Sequence, residues 1–408
     1  MRRVAITGCG VVSAAGADLR SFWDVLVQGR SLIRPLRGFA IKDLPNLYGA
    51  EVDFPDEGLG ADRDSRRRRC ARLLGLAARH ATRDARLSES WCHAARMGVA
   101  MGTTLGEEEE LNHLHDRAAE VGALTIDATF ASRADNTRLA LDVARDHQLR
   151  GPVLLNATAC SSGNAATAWA YDLVASGACD AMLAGGVDTL TRVTYSGFSR
   201  MNALSKSVCR PFDVRRDGVS FGEGAGVLVL EEMGHAQRRG AHVYAELAGY
   251  GIGNDAHHIT APEPNGRGMA RAIREALTTT ATSVEAIDYV SAHGTGTPYN
   301  DAAEERALRA VFGDRTTRTP VSSIKASLGH TNGAASALES VACVLALEHQ
   351  LLPPTANLEQ PDPAFALDLV RTRAREARVN TCLNLAAGFG GFNVCLVLKK
   401  APQAKVRG

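Results

Sequence analysis

Short apolar runs alternate with longer helix-like segments along the whole chain. Val4–Thr7, Met97–Met101, Val153–Leu155 and Ala181–Ala184 are apolar runs that end close to glycine or polar turn residues. Runs of this length are typical of buried strands, because a strand covered on both faces needs apolar residues at every position. The segment from Arg66 to Leu87 has apolar residues at helical spacing. This alternation predicts an α/β fold.

The same order of elements restarts in the second part of the chain. Val243–Ala248 predicts a strand that enters glycines, as at the N-terminus, and Ile287–Ser291 predicts another buried strand. Ser336–Leu347 predicts a helix of small residues. We therefore predict two similar halves, residues 1–240 and 241–408, that share one packed interface, since no linker-like composition separates them.

One stretch places a cysteine between a strand and a helix. Val153–Leu155 is followed by Cys160 and then by a run of small helix formers that ends at Gly177. A cysteine at a helix start lies among free backbone N–H groups, and the helix dipole there favours its thiolate. Cys160 is therefore a candidate nucleophile with a lowered thiol pKa, and a buried structural cysteine is the alternative.

Three glycine-framed motifs in the second half carry polar groups. They are AHGTGT with His293, KASLGH with Lys325 and His330, and GFGGFN with Phe389. Glycines after strands let backbone amides approach a ligand closely, and histidine is the natural proton donor near neutral pH. Two such histidines and a lysine, together with a cysteine at a helix start, indicate a catalytic site.

Several other patterns are weaker signals. The GCG string at residues 8–10 lacks the third glycine and the acidic ribose partner of a dinucleotide site. Gly218–Gly222 matches the G-x-S-x-G string of hydrolases, but Val227–Leu230 predicts a strand where a nucleophile elbow needs a helix. Residues 107–115 combine acids with two histidines, which face different directions on a helix, so we predict a solvated helix and no metal site.

Composition and charge narrow the class of protein further. The 408 residues are 45% hydrophobic and carry a net charge of +1, which gives no field for nucleic acid or an anionic membrane. No apolar run approaches the roughly 18 residues of a membrane span. Nine cysteines without CxxC spacing predict reduced thiols and a cytoplasmic location. Arg66–Arg69 form either a solvated helix start or a site for an acidic partner.

The four motifs together resemble a known enzyme family. TACSSG around Cys160, AHGTGT, KASLGH and GFGGFN are similar to the β-ketoacyl-acyl-carrier-protein synthases, in the elongating group with a Cys-His-His triad. The motifs occur in the family's order and spacing over essentially the whole chain. The resemblance implies an acyltransferase with the thiolase fold, a duplicated five-layered α-β-α-β-α core. It also implies acyl carrier protein as a partner, phosphopantetheine-bound substrates, and no metal or redox cofactor.

The resemblance assigns a role to each candidate residue. The expected catalytic residues are Cys160, His293, His330, Lys325 and Glu304. Cys160 takes the acyl chain, the histidines hydrogen-bond the malonyl thioester carbonyl, and the lysine and glutamate form an ion pair that holds the histidine geometry. The N–H groups of Cys160 and Phe389 form the oxyanion hole, and the Phe389 ring is a gate. The expected substrate-binding residues are Thr295, Thr297, Phe198, Leu105 and Phe130, and the expected carrier-docking residues are Arg66, Arg67, Arg68 and Arg69.

The motifs also distinguish this chain from other members of the fold. A non-catalytic chain-length-factor-like subunit would lack Cys160. A thiolase would carry a cysteine motif where this chain has Phe389. An initiating synthase would have asparagine in place of His330. The condensing enzyme is therefore the favoured interpretation.

The sequence leaves the pathway and the assembly open. Residues 322–349 and 350–359 are closer to the polyketide branch, so type II polyketide or polyene biosynthesis is favoured over fatty-acid elongation. The loop Ala131–Asn136 beside Phe130 departs from the family's usual proline-containing loop. Its polar content favours a heterodimer with a homologous subunit over a homodimer, because a distinct partner can evolve a complementary surface.

Overall fold

The computed structural model describes residues 1–41, 47–53, 69–87, 94–122, 126, 130 and 134–401. The α-helices within these residues are α1 (Leu19–Val27), α2 (Arg69–Asp84), α3 (Glu109–Val121), α4 (Thr137–Asp146), α5 (Ser162–Ala175), α6 (Arg192–Arg200), α7 (Met233–Arg238), α8 (Arg267–Thr279), α9 (Pro298–Phe312), α10 (Lys325–Leu328) and α11 (Ala335–His349). The strands are β1 (Val4–Ser13), β2 (Arg34–Pro35), β3 (Tyr48–Ala50), β4 (Met97–Gly102), β5 (Val153–Asn156), β6 (Ala181–Asp188), β7 (Phe221–Gly222), β8 (Gly224–Glu232), β9 (Ala245–Asn254), β10 (Tyr289–Ser291), β11 (Pro320–Ser322), β12 (Leu351–Leu352), β13 (Asp368–Leu369), β14 (Arg375–Glu376), β15 (Thr381–Gly388) and β16 (Phe392–Lys400).

The strands of the core repeat one topology. They lie in the order β13-β11-β10-β15-β16-β9-β1-β8-β6-β4-β5, and the halves meet where β9 pairs with β1 over a short stretch. In each half the first strand in the chain is innermost and pairs antiparallel with the last, β1 with β8 and β9 with β16. Among the strands of this order, the second and third of each half pair in parallel further out, β4 with β5 and β10 with β11. The fold is therefore a duplicated α/β fold, as predicted.

Helices form three layers around these strands. We call the core strands of the first half the first sheet and those of the second half the second sheet, and the short β9–β1 pairing joins the two. The helices α5 and α11 lie between the sheets and contact strands of both halves. The helices α2 and α4 cover the outer face of the first sheet, and α8 and α9 cover the outer face of the second. These layers give the α-β-α-β-α order expected of the thiolase fold.

The sequence of each helix matches its layer. The central helix α11 is apolar or small on nearly all sides, and 13 of its 15 residues are buried. A helix enclosed in this way needs no polar face. The outer helix α8 buries residues such as Met269 and Ile273 against the second sheet and leaves its arginines on the opposite face.

The two central helices approach each other closely. A Cβ atom added to Gly163 of α5 would lie 2.7 Å from the backbone nitrogen of Ala337 in α11. The Asn164 backbone N–H donates to Ser336 Oγ at 2.9 Å, and Asn384 Nδ2 donates to Asn164 Oδ1 at 3.1 Å. The Asn164–Ser336 hydrogen bond fixes the register of α5 against α11, and Asn384 holds α5 against strand β15.

Most predicted elements are present, with shifted ends. The strand predicted at Val4–Thr7 continues to Ser13, since β1 pairs with β8 over this whole length. Every residue of β1 is buried. The helix predicted from Arg66 begins at Arg69 within the described residues, and Arg66–Arg68 lie outside them. The G-x-S-x-G string leads into the strands β7 and β8, as predicted.

The acidic segment at the start of α3 differs from the prediction. Glu107, Glu108 and Glu110 are buried, so the prediction of a solvated helix is wrong at this end. Glu107 Oε1 accepts a hydrogen bond from the Ala71 backbone at 3.1 Å, and Glu108 Oε2 accepts one from Thr191 Oγ1 at 2.8 Å. Such partners make burial of a carboxyl group tolerable. The described residues contain no cluster of three metal-binding side chains and no helix long and apolar enough to cross a membrane.

Candidate active site

Cys160 lies in a tight turn between β5 and α5. The turn is a 3₁₀ helix, Ala159–Ser161, that precedes the first residue of α5. Ala159 has a φ of 51°, a left-handed conformation that is uncommon for a residue with a side chain. Ser162 Oγ accepts a hydrogen bond from the Thr158 backbone N–H at 2.9 Å and steadies the turn. Because of this bend, Cys160 belongs to neither β5 nor α5.

Burial controls the protonation state of Cys160. Loss of hydration raises the pKa of its thiol to about 12, and the positive charge of Lys325 opposes only part of that rise. The predicted lowering of the thiol pKa is therefore wrong, since desolvation of the thiolate outweighs the helix dipole. At neutral pH the group is a thiol, and its proton must leave as the sulfur attacks.

A single cavity collects the principal candidates from both halves. Cys160 comes from the first half, and His293, His330 and Phe389 come from the second, where each follows a strand or a short helix. Three of the expected substrate-binding residues also line this cavity, namely Thr295, Thr297 and Phe198. The lining is largely apolar around these few polar groups, as in most small-molecule sites.

The two histidines are neutral hydrogen-bond donors. Desolvation, with the nearby charge of Lys325, holds the pKa of both rings well below the ordinary value of 6.5. His330 Nδ1 accepts a hydrogen bond from the Asn332 backbone N–H at 3.2 Å, and His293 Nδ1 lies 3.4 Å from Lys325 Nζ. Because Nδ1 accepts in both rings, Nε2 carries the proton in both. The two rings are close and nearly perpendicular, with centroids 5.5 Å apart.

Lys325 pairs with a different acid from the one expected. Its Nζ forms a buried ion pair with Glu339 of α11. The Glu304 carboxylate instead accepts the backbone N–H groups of His293 at 2.7 Å and Gly294 at 2.8 Å. The predicted Lys325–Glu304 pair is therefore wrong, because Glu304 is used by the backbone of the histidine loop. Burial raises the pKa of each glutamate to about 7.

Glu339 is a site residue that sequence reasoning missed. The signal was an acid in the apolar middle of helix α11, where an unpaired charge would be costly, whereas the second acid of the helix, Glu348, lies at its exposed C-terminal end. Such a residue indicates a buried cationic partner. Lys325 is the described lysine that meets this need, with only 1% of its side chain exposed.

The Phe389 ring contacts the aromatic wall of the cavity. It stacks on Phe198 with centroids 5.3 Å apart, and Phe198 meets Phe221 edge-on at 4.7 Å. Phe221 in turn stacks on His330 at 6.0 Å. A Cβ atom added to Gly388 would lie 2.7 Å from the Thr158 carbonyl oxygen. The Phe389 loop is thus packed between the Cys160 turn and His330.

The cavity mouth is formed by a loop that the sequence did not single out. Residues 255–262 contribute several lining groups, and they are hydrogen-bonded to the Phe389 loop. The Gly390 N–H donates to the Ile259 carbonyl at 2.8 Å, and the Asp255 N–H donates to the Gly391 carbonyl at 3.0 Å. Asn393 Nδ2 donates to Asp255 Oδ1 at 2.8 Å. Movement of one loop therefore affects the other.

Some expected residues are not brought to the cavity. Leu105 and Phe130 are absent from the described lining, and the Leu105 N–H instead donates to buried Asp188 at 3.1 Å. Arg69 points inward, with its Nε 2.9 Å from Glu223 Oε2. The expected docking residues Arg66–Arg68 lie outside the described residues.

Comparison with known families shows which enzyme family this chain belongs to. Residues 1–236 match the family model "Beta-ketoacyl synthase, N-terminal domain", and residues 244–359 match "Beta-ketoacyl synthase, C-terminal domain". The chain belongs to the β-ketoacyl synthase family. The synthase is an acyltransferase, and the family match agrees with the resemblance of its four motifs.

Individual relatives of the synthase match over nearly its full length. It is 41% identical to "Putative polyketide beta-ketoacyl synthase 1" of Streptomyces halstedii, with 100% of both chains covered. It is 37% identical to "3-oxoacyl-[acyl-carrier-protein] synthase 2" of Coxiella burnetii, over 98% of this chain and 99% of the relative. The solved structure "The ishigamide ketosynthase/chain length factor" superposes with a TM-score of 0.94 and 38% identity, over 98% of this chain and 100% of that chain.

Proposed function

We propose that this synthase joins a Cys160-bound acyl chain to malonyl-acyl carrier protein, with loss of CO₂, in type II polyketide or polyene biosynthesis. The observation that carries the proposal is the cavity in which a buried thiol faces two neutral histidines, each with an Nε2–H donor. A nucleophile and a pair of fixed donors are the groups that a decarboxylative condensation needs.

The first half-reaction loads the enzyme. The Cys160 sulfur attacks the thioester carbonyl of an acyl carrier protein, and the new sulfur–carbon bond replaces the bond to the carrier's sulfur. The proton lost by Cys160 passes to the departing thiolate, which leaves as the carrier's thiol. The backbone N–H groups of Cys160 and Phe389 stabilise the tetrahedral oxyanion, and the contact between their loops supports this role.

The second half-reaction forms the carbon–carbon bond. The Nε2–H groups of His293 and His330 hydrogen-bond the malonyl thioester carbonyl, which becomes an enolate oxygen as CO₂ leaves. Charge builds up on that oxygen, so the two donors stabilise the transition state more than the ground state. The enolate carbon attacks the acyl thioester, and the Cys160 thiolate is released and takes up a proton. The product is a β-ketoacyl chain on the carrier, two carbons longer.

The remaining residues of the proposal bind or position. Thr295 and Thr297, whose hydroxyl oxygens are 2.8 Å apart at the cavity, bind the phosphopantetheine arm. The ion pair with Glu339 holds the Lys325 ammonium group beside His293 Nδ1. The proton of the neutral His293 ring therefore stays on Nε2. The reaction requires no resident metal or redox cofactor. We also propose that the enzyme is located in the cytoplasm.

Two protein partners follow from the proposed pathway. Acyl carrier protein delivers both substrates. A homologous subunit of the chain-length-factor type completes a heterodimer, which is supported by the 38% identity to a solved ketosynthase/chain length factor. Fatty-acid elongation is the second candidate, favoured by the 37% identity to 3-oxoacyl-[acyl-carrier-protein] synthase 2 of Coxiella burnetii.

The test of the proposed function is loading and condensation in Cys160 variants. Cys160→Ala should gain no acyl mass after incubation with acyl-loaded carrier protein, and Cys160→Gln should decarboxylate malonyl-carrier without condensing it. Cys179→Ala is the matched control, since Cys179 is buried but does not line the cavity, and it should load normally. A mass gain on Cys160→Ala would contradict the assignment.

A further inference from the structure

Asp188, the last residue of β6, joins backbone segments from the two halves of the chain. Its side chain is fully buried. Asp188 Oδ2 accepts hydrogen bonds from the backbone N–H of Thr104 at 2.7 Å and from that of Gly333 at 2.6 Å. Asp188 Oδ1 accepts three more from the loop after β4, donated by Thr103 Oγ1 at 2.8 Å and by the N–H groups of Leu105 and Gly106 at 3.1 and 3.2 Å. One carboxylate therefore holds this loop against the turn that leads into α11.

The surroundings of Asp188 favour its charged form. All five of these groups donate, whereas a protonated carboxyl group would need an acceptor for its own proton. Burial raises the pKa of Asp188, and the hydrogen bonds from the loop and from Gly333 oppose that rise. The five donors satisfy both carboxylate oxygens, as buried polar groups require.

The contact with Gly333 bears on His330, three residues earlier in the chain. The His330 carbonyl accepts the Gly222 N–H of β7 at 3.1 Å, which holds the backbone on one side of the ring. The chain then turns through Asn332, whose φ of 50° is left-handed, and reaches Gly333. The Asn332 N–H donates to His330 Nδ1 at 3.2 Å. The ring is thus oriented by a turn whose far end is attached to Asp188.

The turn that carries Cys160 is connected to the same carboxylate less directly. Ser162 Oγ, at the start of α5, lies 3.0 Å from the Thr103 carbonyl oxygen. This turn also has a support that does not involve Asp188, since Asn156 Nδ2 donates to the Ser162 carbonyl at 3.2 Å. A change at Asp188 therefore removes an anchor of the histidine turn and leaves the cysteine turn supported.

We infer that Asp188 is a positioning residue for condensation, which keeps the His330 Nε2–H in place by anchoring the histidine turn at Gly333. With this anchor, the Asn332 N–H occupies His330 Nδ1, and the ring proton stays on Nε2. Without it, the left-handed turn relaxes, and the ring is free to rotate or to change tautomer. This inference rests on the proposed function, in which His330 acts in the second half-reaction.

The test is the ratio of condensation to loading in Asp188→Asn. The amide has one acceptor oxygen in place of two, so part of the anchor is lost while the side-chain shape is kept. The kcat of condensation with malonyl-acyl carrier protein should fall about 10–100-fold, since a small misplacement of a catalytic group is costly. The KM should stay near the wild-type value, because the lost interaction acts in the transition state. Acylation of Cys160, followed by intact mass, should be nearly unchanged.

Loading should be spared for an electrostatic reason as well. Burial raises the pKa of the Cys160 thiol, Lys325 opposes that rise, and the charge of Asp188 adds to it. Removal of the Asp188 charge therefore does not disfavour the thiolate that loading requires. An equal loss of loading and condensation in Asp188→Asn would show a general structural role and overturn the inference.

Thr103→Val is a milder variant for the case that Asp188→Asn does not fold. It keeps nearly the same side-chain shape and removes one of the five donors to Asp188. Condensation should fall roughly two- to fivefold with loading intact, the size of effect expected for one hydrogen bond. An unchanged ratio of condensation to loading in Thr103→Val and in any Asp188→Asn protein that folds would overturn the inference.

Glu231→Gln is the matched control, because Glu231 is an equally buried carboxylate at the other end of the β6–β8 pairing. It accepts a hydrogen bond from Thr7 Oγ1 at 2.8 Å and pairs with Arg239. Its substitution should lower the Tm and leave the ratio of condensation to loading unchanged. A fall in this ratio equal to that of Asp188→Asn would overturn the inference.

Nuclear magnetic resonance of protein labelled with ¹⁵N-histidine reads the state of the ring. The His330 signals, identified by their loss in His330→Ala, should show a protonated Nε2 in the wild type and should change in Asp188→Asn. Unchanged His330 signals in Asp188→Asn would overturn the inference. Wild-type protein that loads Cys160 without condensing would instead contradict the proposed function.

Discussion

At the scale of single residues, the active site keeps its acid–base groups neutral. Burial raises the pKa of Cys160 and lowers the pKa of both histidines, so the thiol and the two rings carry no charge near neutral pH. The charged pair Lys325–Glu339 lies behind them. In the proposed mechanism, the developing negative charge of the reaction therefore meets donors that are already in place, which is the arrangement that electrostatic catalysis requires.

His330 is expected to serve condensation and not loading. His330→Ala removes one of the two enolate donors, and loss of one oxyanion donor typically lowers a rate about 10²–10³-fold. Condensation measured with malonyl-acyl carrier protein should fall by this factor, while the intact mass of the protein still shows acylated Cys160. An equal loss of acylation would instead place His330 in the first half-reaction.

The charge of Lys325 is expected to contribute to the acid limit of activity. Burial lowers the pKa of both histidines most, and the nearby charge of Lys325 lowers it further, so removal of Lys325 raises both pKa values part of the way towards the unperturbed value of about 6.5. Decarboxylation needs neutral rings, and its rate should therefore decline at a higher pH than in the wild type. Lys325→Met/Glu339→Leu is suited to this measurement, because Lys325→Met alone strands a buried carboxylate and should cost about 3–5 kcal/mol of unfolding free energy. An unshifted pH–rate profile in the double variant would contradict this role.

The sequence predicted the principal residues of the site but not the partners of its charged groups. Cys160, His293 and His330 were identified from motifs whose glycines mark loops at strand ends. The pairing of Lys325 with Glu339 instead of Glu304 depends on how α11 lies against α10, which no local pattern specifies. The thiol pKa was mispredicted for a related reason, since the depth of Cys160 in the core is a property of the packed layers.

At the scale of secondary-structure elements, the contact between α5 and α11 brings the two half-sites together. α5 follows Cys160 directly, and α11 follows the loop of His330, so the distance between these helices sets the distance between nucleophile and donor. Gly163 permits the close approach because it has no side chain. The Asn164–Ser336 hydrogen bond then fixes the register, and Asn384 holds α5 against β15.

Substitution of this glycine is expected to separate the two helices. Gly163→Ala places a methyl group 2.7 Å from the Ala337 nitrogen, and overpacking of this kind usually costs 1–3 kcal/mol. The Tm should fall, and condensation should fall more than loading, because the proposed loading step does not use His330, whose loop precedes α11. Gly197→Ala in α6 is the matched control, since its added Cβ meets no atom within 4 Å and should raise stability by roughly 0.5–1 kcal/mol. Equal effects of the two substitutions would argue against the packing explanation.

The sequence predicted elements better than it predicted their ends. The buried strands and the two small-residue helices were found from apolar patterns, because enclosure on both faces leaves a strong signal. The 3₁₀ turn at Ala159–Ser161 was predicted as the first turn of a helix. The left-handed φ of Ala159 separates this turn from the helix that follows it. That backbone conformation depends on the tight packing of the turn against Gly388.

At the scale of the whole molecule, one end of the strand order is open. β5 is the last strand and pairs only with β4 within the described residues, so its outer backbone groups are available to another chain. Trp169 of α5 and Leu141 of α4 are 39% and 50% exposed. Both helices contact β5, and an apolar face beside an unpaired strand favours a second subunit at this edge.

The identity of that subunit is the last prediction. The polar residues Asp135 and Asn136 near this region favour a distinct partner, because a self-paired interface sets each charge against a fixed copy of its own surface. Residues Ala131–Arg133 of the same loop lie outside the described residues. We expect the chain expressed alone to show weak condensing activity, and co-expression with a homologous subunit that lacks the cysteine to give a stable, active heterodimer.

Light scattering measured beside condensing activity decides between the two assemblies. Trp169→Glu should abolish association with either kind of partner, since it places a charge on the apolar face beside β5. Val193→Glu is its control, because Val193 is similarly exposed, at 41%, but lies on α6. A stable homodimer with full activity would contradict the heterodimer and favour fatty-acid elongation, because such an enzyme needs no second type of subunit to complete its acyl pocket. Association that survives Trp169→Glu would move the interface away from β5.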